Sequence, residues 1–187
     1  LAKLRPPEEL LDLDTDGIDA FCEDSEHFVL MGSCARPFER VQFLRSSASV
    51  YMDLGELAAG EPAVEFRRLL ASVHEFYCEE LDAWAKTKVD ALFFMDDWGS
   101  QQSLLINPDL WRELFKPLYR EYIEIAHHAG KRIFMHSDGY IADIIPDLIE
   151  LGLDAVNSQL FCMGVDRLER FRGEICFWGE IDRQHLL

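Results

Sequence analysis

Five short apolar runs, separated by helical patterns, constrain this chain more than any other feature. They are His27-Phe28-Val29-Leu30-Met31, Ala91-Leu92-Phe93-Phe94-Met95, Ile133-Phe134-Met135, Asp154-Ala155-Val156 and Ile175-Cys176-Phe177-Trp178. Each is too short for a buried helix and lacks the apolar–polar alternation of a half-exposed strand, so each reads as a strand covered on both faces. Between them lie stretches of helical period. Residues 38–45 are helical in pattern. Pro62 opens an amphipathic helix to about residue 86. Asn107-Pro108 starts a helix, with Asn107 as N-cap and Pro108 in the first turn, that runs to about residue 129 and stops at Gly130. Residues 141–151 and 165–171 complete the set. Strand–helix alternation of this kind makes a parallel sheet covered by helices.

Two architectures satisfy that pattern, a doubly wound sheet and a (β/α) barrel, and in both the ligand sits at the carboxyl ends of the strands. Polar residues follow each run: Ser33 and Arg36, Asp96 and Asp97, His136 and Asp138, Asn157 and Gln159, Glu180 and Asp182. A doubly wound sheet gathers its site at one switch point, whereas five successive polar strand ends favour an α/β parallel TIM barrel. A full barrel has eight strands and about 250 residues. With five strands in 187 residues, the expectation is an incomplete barrel over residues 27–187, preceded by an acidic segment, 1–26. Open sheet edges then need covering, and a homodimer is one way to do so.

Charge narrows the function classes. Eighteen basic residues against thirty-five acidic ones give a formal net charge of -17. A nucleic-acid partner needs a basic face and an anionic membrane a basic patch, so neither is expected. No apolar run reaches the roughly 20 residues that span a bilayer, and no signal peptide is visible. Five cysteines, without a C-x-x-C pair, fit reduced thiols and a cytoplasmic setting. There is no G-x-G-x-x-G, P-loop or G-x-S-x-G, which leaves dinucleotide, ATP and serine-hydrolase readings without support.

Three constellations carry chemistry. Asp12-x-Asp14-x-Asp16-Gly17, with Glu23 following, matches the EF-hand calcium loop, but its flanks lack the required helix pair, so an acidic surface loop is expected; a calcium- or partner-binding module is the non-catalytic alternative. Asp96-Asp97-Trp98-Gly99-Ser100-Gln101 places two carboxylates at a strand end, with Trp98 and Gln101 adding binding surface. His136-x-Asp138 leaves the next strand with an imidazole and a carboxylate two residues apart, a pair suited to zinc or to proton transfer. His127 and His128 lie within a helix and read as structural, as does His74.

The run "FFMDDWGSQQSLLINPDLWRELFKPLYREYIEIAHHAGKRIFMHSDGYI", followed by "LIELGLDAVNSQ" and "FWGEIDRQHLL", resembles the uroporphyrinogen decarboxylase superfamily over roughly residues 28–187. The resemblance implies a (β/α)8 barrel and one of two chemistries. Decarboxylases of porphyrin biosynthesis act without a cofactor, grip a polycarboxylate with arginines and set an aspartate, here Asp97, against the pyrrole nitrogens. Their arginine-bearing N-terminal motif is not in this chain, and Arg36 is the arginine nearest a strand end. Methyltransferases of the superfamily use zinc to activate a thiol and exchange methyl groups with a corrinoid held by a partner protein. Their H-x-C ligand pair matches His136 and Asp138, with aspartate replacing cysteine, and their later cysteine would fall beyond Leu187. Cys34 and Cys162 lie near other strand ends and read as buried free thiols. The expectation is therefore a methyltransferase-like enzyme acting on a small methylated compound: Asp97 and His136 catalytic; Asp96, Trp98, Gln101, Asn157, Gln159 and Arg36 contacting substrate; His136, Asp138 and Glu180 holding the metal.

Overall fold

The computed structural model describes residues 5–32 and 35–182; Ser33 and Cys34, named above, lie outside the described residues. Among the described residues, four parallel strands form one sheet: β1 (Ala91–Met95), β2 (Arg132–Ser137), β3 (Ala155–Ser158) and β4 (Cys176–Trp178). Their spatial order is β1-β2-β3-β4, without the reversal that defines a doubly wound sheet. The sheet is an open arc of a barrel wall. The run at 27–31, expected as a fifth strand, contributes one parallel bridge, Leu30 to Ala91, with the Met31 N–H donating to the Ala91 carbonyl at 3.1 Å. That bridge extends the arc beyond β1.

Helices pack on the wall: α1 (Thr15–Asp24), α2 (Pro37–Arg45), α3 (Ser47–Ala58), α4 (Val64–Ala85), α5 (Pro108–Leu114), α6 (Lys116–His128), α7 (Ile145–Leu151), and the short turns α8 (Leu160–Met163) and α9 (Val165–Leu168). The expected helix over 107–129 is two. Asn107 Oδ1 caps the first, accepting the Asp109 N–H at 2.7 Å. The break follows from Pro117, which has no N–H for the Glu113 carbonyl and whose ring crowds it, so the helix restarts with proline in its first turn. α3 had no counterpart in the sequence reading; it buries Val50, Leu54 and Leu57. The acidic loop expected over 12–23 is also different. Asp14 caps α1 by accepting the Gly17 N–H, Asp19 Oδ1 accepts the Lys88 N–H at 2.7 Å, and Glu23 pairs with the Lys88 ammonium. Asp16, Asp19 and Glu23 sit along a helix, with Asp12 and Asp14 before it, instead of wrapping one point as a calcium loop does. Among the described residues, no helix is long and apolar enough to cross a membrane.

The core is aromatic next to the future site. Phe38 of α2 stacks on Trp98 with centroids 4.2 Å apart; Trp98 meets Phe115 at 4.6 Å, and Phe94 meets Tyr119 at 4.8 Å. Asp96 is sealed inside this box, 0% exposed. Its carboxylate accepts the N–H groups of Phe38 and Glu39, each at 3.0 Å, and the Tyr119 hydroxyl at 2.8 Å. It thus caps α2 from a distant strand and ties β1, α2 and α6 together. Burial pushes this carboxyl up to about 8, against the opposing pull of its three donors.

Replacing Asp96 with Ala strands three donors in a dry core, and chemical denaturation should show a loss of about 3 kcal/mol or more. The pH dependence has a defined sign. The raised carboxyl favours the fold fully below about 4, and this contribution is lost as pH rises toward about 8. The stability difference between wild type and Asp96→Asn should therefore shrink from pH 4 to pH 8.

Candidate functional site

The carboxyl ends of β1, β2 and β3 carry the site. β2 runs to Ser137, so His136 lies within the strand and only Asp138 follows it. Strand register aligns His136 with Met95 on one side and Asn157 on the other, and Asn157 with Trp178 of β4. Asp97 leaves β1 two residues past Met95. His136 Nε2 stands 3.6 Å from Asp97 Oδ1 and 3.7 Å from Asp138 Oδ1. All three side chains are part-exposed and each offers a ligand atom within 4.8 Å of the others. The Asp97 carboxylate is held by backbone: the Asp138 N–H donates to its Oδ1 at 2.8 Å.

Hydrogen bonding defines which imidazole nitrogen faces them. The Asn157 amide donates to the Trp178 carbonyl at 2.8 Å, which turns its oxygen toward His136 Nδ1, 2.6 Å away. That oxygen can only accept, so Nδ1 carries a hydrogen and Nε2 is the nitrogen that faces Asp97 and Asp138. This is the arrangement of an imidazole prepared to ligate a cation, with its second nitrogen anchored. One imidazole and two carboxylates suit zinc or a similar divalent ion. With bond lengths of about 2.0 Å, a tetrahedral ion needs ligand edges of about 3.3 Å. The two edges from His136 are slightly wider, and three ligands leave a fourth position open.

The two site loops are clamped backbone to backbone. Gly99 donates to the Asp138 carbonyl at 3.0 Å, and Tyr140 donates to the Ser100 carbonyl at 2.7 Å. A Cβ on Gly139 would lie 2.1 Å from the Gly99 oxygen, and one on Gly99 would lie 2.2 Å from the Tyr140 nitrogen. Both glycines are required by this close approach.

Other expected residues divide. Gln101 and Gln159 bond to each other at 3.0 Å on the exposed rim. Arg36 pairs with Glu39 at 3.5 Å, and its Nε is buried without a hydrogen-bond partner among the described residues. Glu180 lies outside the converging trio. Asp96 and Trp98, read from sequence as substrate contacts, are instead fully buried: Asp96 caps α2, and Trp98 packs in the aromatic box with its Nε1 donating to the Tyr119 hydroxyl at 2.7 Å. An aspartate pair at a strand end looks alike in sequence, yet the alternation of side chains sends one inward and one outward. Cys162 is half-buried and donates to the Gln159 carbonyl at 3.0 Å; burial pushes its thiol up, with Glu180 and Asp138 adding to the shift. His127, expected to be structural, bonds Asp154 at 3.0 Å and ties α6 to the start of β3.

Glu39 was not anticipated. It sits in the first turn of α2, which Asp96 anchors at the site. Burial pushes its carboxyl up and Asp97 adds to this, while Arg36 and His136 oppose it. Only the contact between Asp96 and α2, 57 residues apart in sequence, puts it here.

The carboxyl ends of a sequentially ordered parallel sheet, where this imidazole and these carboxylates gather, are where barrel-type α/β enzymes place their sites. The family model described as Uroporphyrinogen decarboxylase (URO-D) matches residues 2–187, and the chain belongs to that family. A solved structure titled methyltransferase from Methanosarcina mazei shares the fold, with a TM-score of 0.65 at 14% identity over 91% of this chain. This chain spans 47% of that structure's length. No curated protein matches the chain.

Two substitutions test the site's construction. Gly130 and Gly139 both have positive φ, but only Gly139 meets backbone. Gly130→Ala should cost about 1 kcal/mol; Gly139→Ala should cost at least twice that in thermal or chemical unfolding. Asn157→Leu removes the acceptor at His136 Nδ1, and calorimetric titration with zinc should show affinity falling about 10- to 100-fold, with Asn157→Asp falling less.

Proposed function

We propose that this chain carries the cation site of a metal-dependent methyltransferase of the uroporphyrinogen decarboxylase family, acting on a small methylated compound with a corrinoid-bearing partner protein. The observation that supports the reading most is the line of hydrogen bonds from the Trp178 carbonyl through Asn157 to His136, which leaves Nε2 facing Asp97 and Asp138. These three residues would hold zinc. Bound there, the ion would act as a Lewis acid that lowers the pKa of a thiol or water to give a nucleophile at neutral pH. Aspartate in place of a thiolate ligand makes the site harder and leaves the incoming thiol as the soft ligand.

The chain's own residues supply the rest. Glu39, with its raised carboxyl next to Asp97 and His136, is suited to accept the proton that an incoming thiol gives up. Arg36 holds Glu39 in place. Gln101 and Gln159 offer amides on the rim to orient the methylated substrate. The methyl-transfer part draws on the structural neighbour's title; the corrinoid partner rests on the resemblance of the sequence blocks.

The family's description favours a second reading, cofactor-free decarboxylation of uroporphyrinogen with Asp97 at the pyrrole nitrogens. Against it stands the charge: Glu39, Asp97 and Asp138 would repel a polycarboxylate, with Arg36 beside them already paired to Glu39.

Metal analysis of the full-length protein by plasma emission spectrometry decides between them. The proposal expects near-stoichiometric zinc in the wild type and loss in both His136→Ala and Asp138→Ala, along with loss of methyl transfer to a free thiol. A folded wild type without zinc that binds and decarboxylates the tetrapyrrole would replace this reading with the second.

A further inference from the structure

On the outer face of the barrel wall, away from the strand ends, α4 packs against α6. His74 and Cys78 stand four residues apart on α4 and so share one face, one turn apart. Glu121 of α6 reaches the same point. His74 Nε2 is 3.1 Å from Glu121 Oε2, Cys78 Sγ is 3.9 Å from that oxygen, and the sulfur is 3.7 Å from each ring nitrogen. From these contacts we propose a second divalent-cation site, built by His74, Cys78 and Glu121, that takes a zinc-class ion and pins α4 to α6.

Geometry carries the case. Tetrahedral zinc, with bonds of about 2.0 Å to nitrogen and oxygen and about 2.3 Å to sulfur, sets edges of about 3.3 Å for N···O and about 3.5 Å for pairs with sulfur. The three separations stand within a few tenths of an ångström of those edges, and a turn of the Cys78 side chain, whose sulfur is now equidistant from both ring nitrogens, would bring it to the Nε2 side. The ring is anchored from behind, as ligating histidines are: the Tyr122 hydroxyl lies 3.2 Å from Nδ1, which directs Nε2 at the cluster. His74 is buried, Cys78 half-buried and Glu121 exposed, so the fourth position opens to solvent and water would fill it. A mixed imidazole–thiolate–carboxylate set selects zinc or cobalt over calcium and magnesium.

The surroundings are electronegative. Burial pushes the Cys78 thiol up to about 12, and Glu121, Glu75 and Glu79 add to this. A cation answers the same field that holds the proton: on binding it displaces the thiol proton to solvent, and a sulfur–metal bond replaces S–H. The site shares no residue with the strand-end trio, so it stands or falls separately from the proposed function.

The test is titration of the metal-free, full-length protein with cobalt(II) in a His136→Ala background, which removes the strand-end imidazole. One equivalent should bind and give near-ultraviolet thiolate-to-cobalt charge-transfer absorption, displaced by zinc. Cys78→Ser should abolish that band. Glu121→Gln, an exposed change that leaves the fold intact by circular dichroism, should weaken binding at least tenfold. Absence of the band, its survival in Cys78→Ser, or unchanged affinity in Glu121→Gln would overturn the proposal.

Discussion

The carboxylate of Asp96 is the contact on which the rest of this structure depends. Its two oxygens receive the first N–H groups of α2 and the hydroxyl of Tyr119 on α6, all inside a box of aromatic rings. A buried polar group alone is costly, but one that satisfies three donors joins three elements that are otherwise only packed. The Asp96 N–H in turn donates to the His136 carbonyl at 3.0 Å, so the same residue sets the spacing of β1 and β2 where the site begins. Asp97, one residue on, is thereby turned outward toward His136.

From that anchor the site grows by strand register. Parallel pairing brings His136, Asn157 and Trp178 into one row across β2, β3 and β4. Because the row is fixed by backbone hydrogen bonds, the Asn157 amide can orient the imidazole without any loop adjusting. The glycine contact between the β1 and β2 loops then holds Asp97 and Asp138 at their separation. Rigid strands provide the imidazole and short clamped loops the carboxylates, which is the division expected of a preorganised cation site.

Much of this was legible in the sequence. The apolar runs located β1 to β4, and proline and glycine marked the start of α5 and the ends of α6 and α7. The wall at 27–31 shrank to a single bridge, and the long helix split at Pro117, whose missing N–H was visible but outweighed by the continuous apolar period around it. His136 and Asp138 were found because an apolar run ended on them. The EF-hand pattern shows the opposite: of its five matching residues, Asp16, Gly17 and Glu23 lie in a helix that Asp14 caps, and Lys88 engages Asp19 and Glu23.

What the sequence determined by itself was the alternation of buried strands and covering helices, and with it the end of the sheet where polar groups gather. Period and punctuation are local, so they can be read locally. Only the tertiary structure decided which of the paired aspartates is buried, that Glu39 joins the site, and that His74 and Cys78 meet Glu121 on a neighbouring helix. Those outcomes depend on contacts between residues some 40 to 60 positions apart. Such contacts arise from packing, and no local pattern in the chain encodes them.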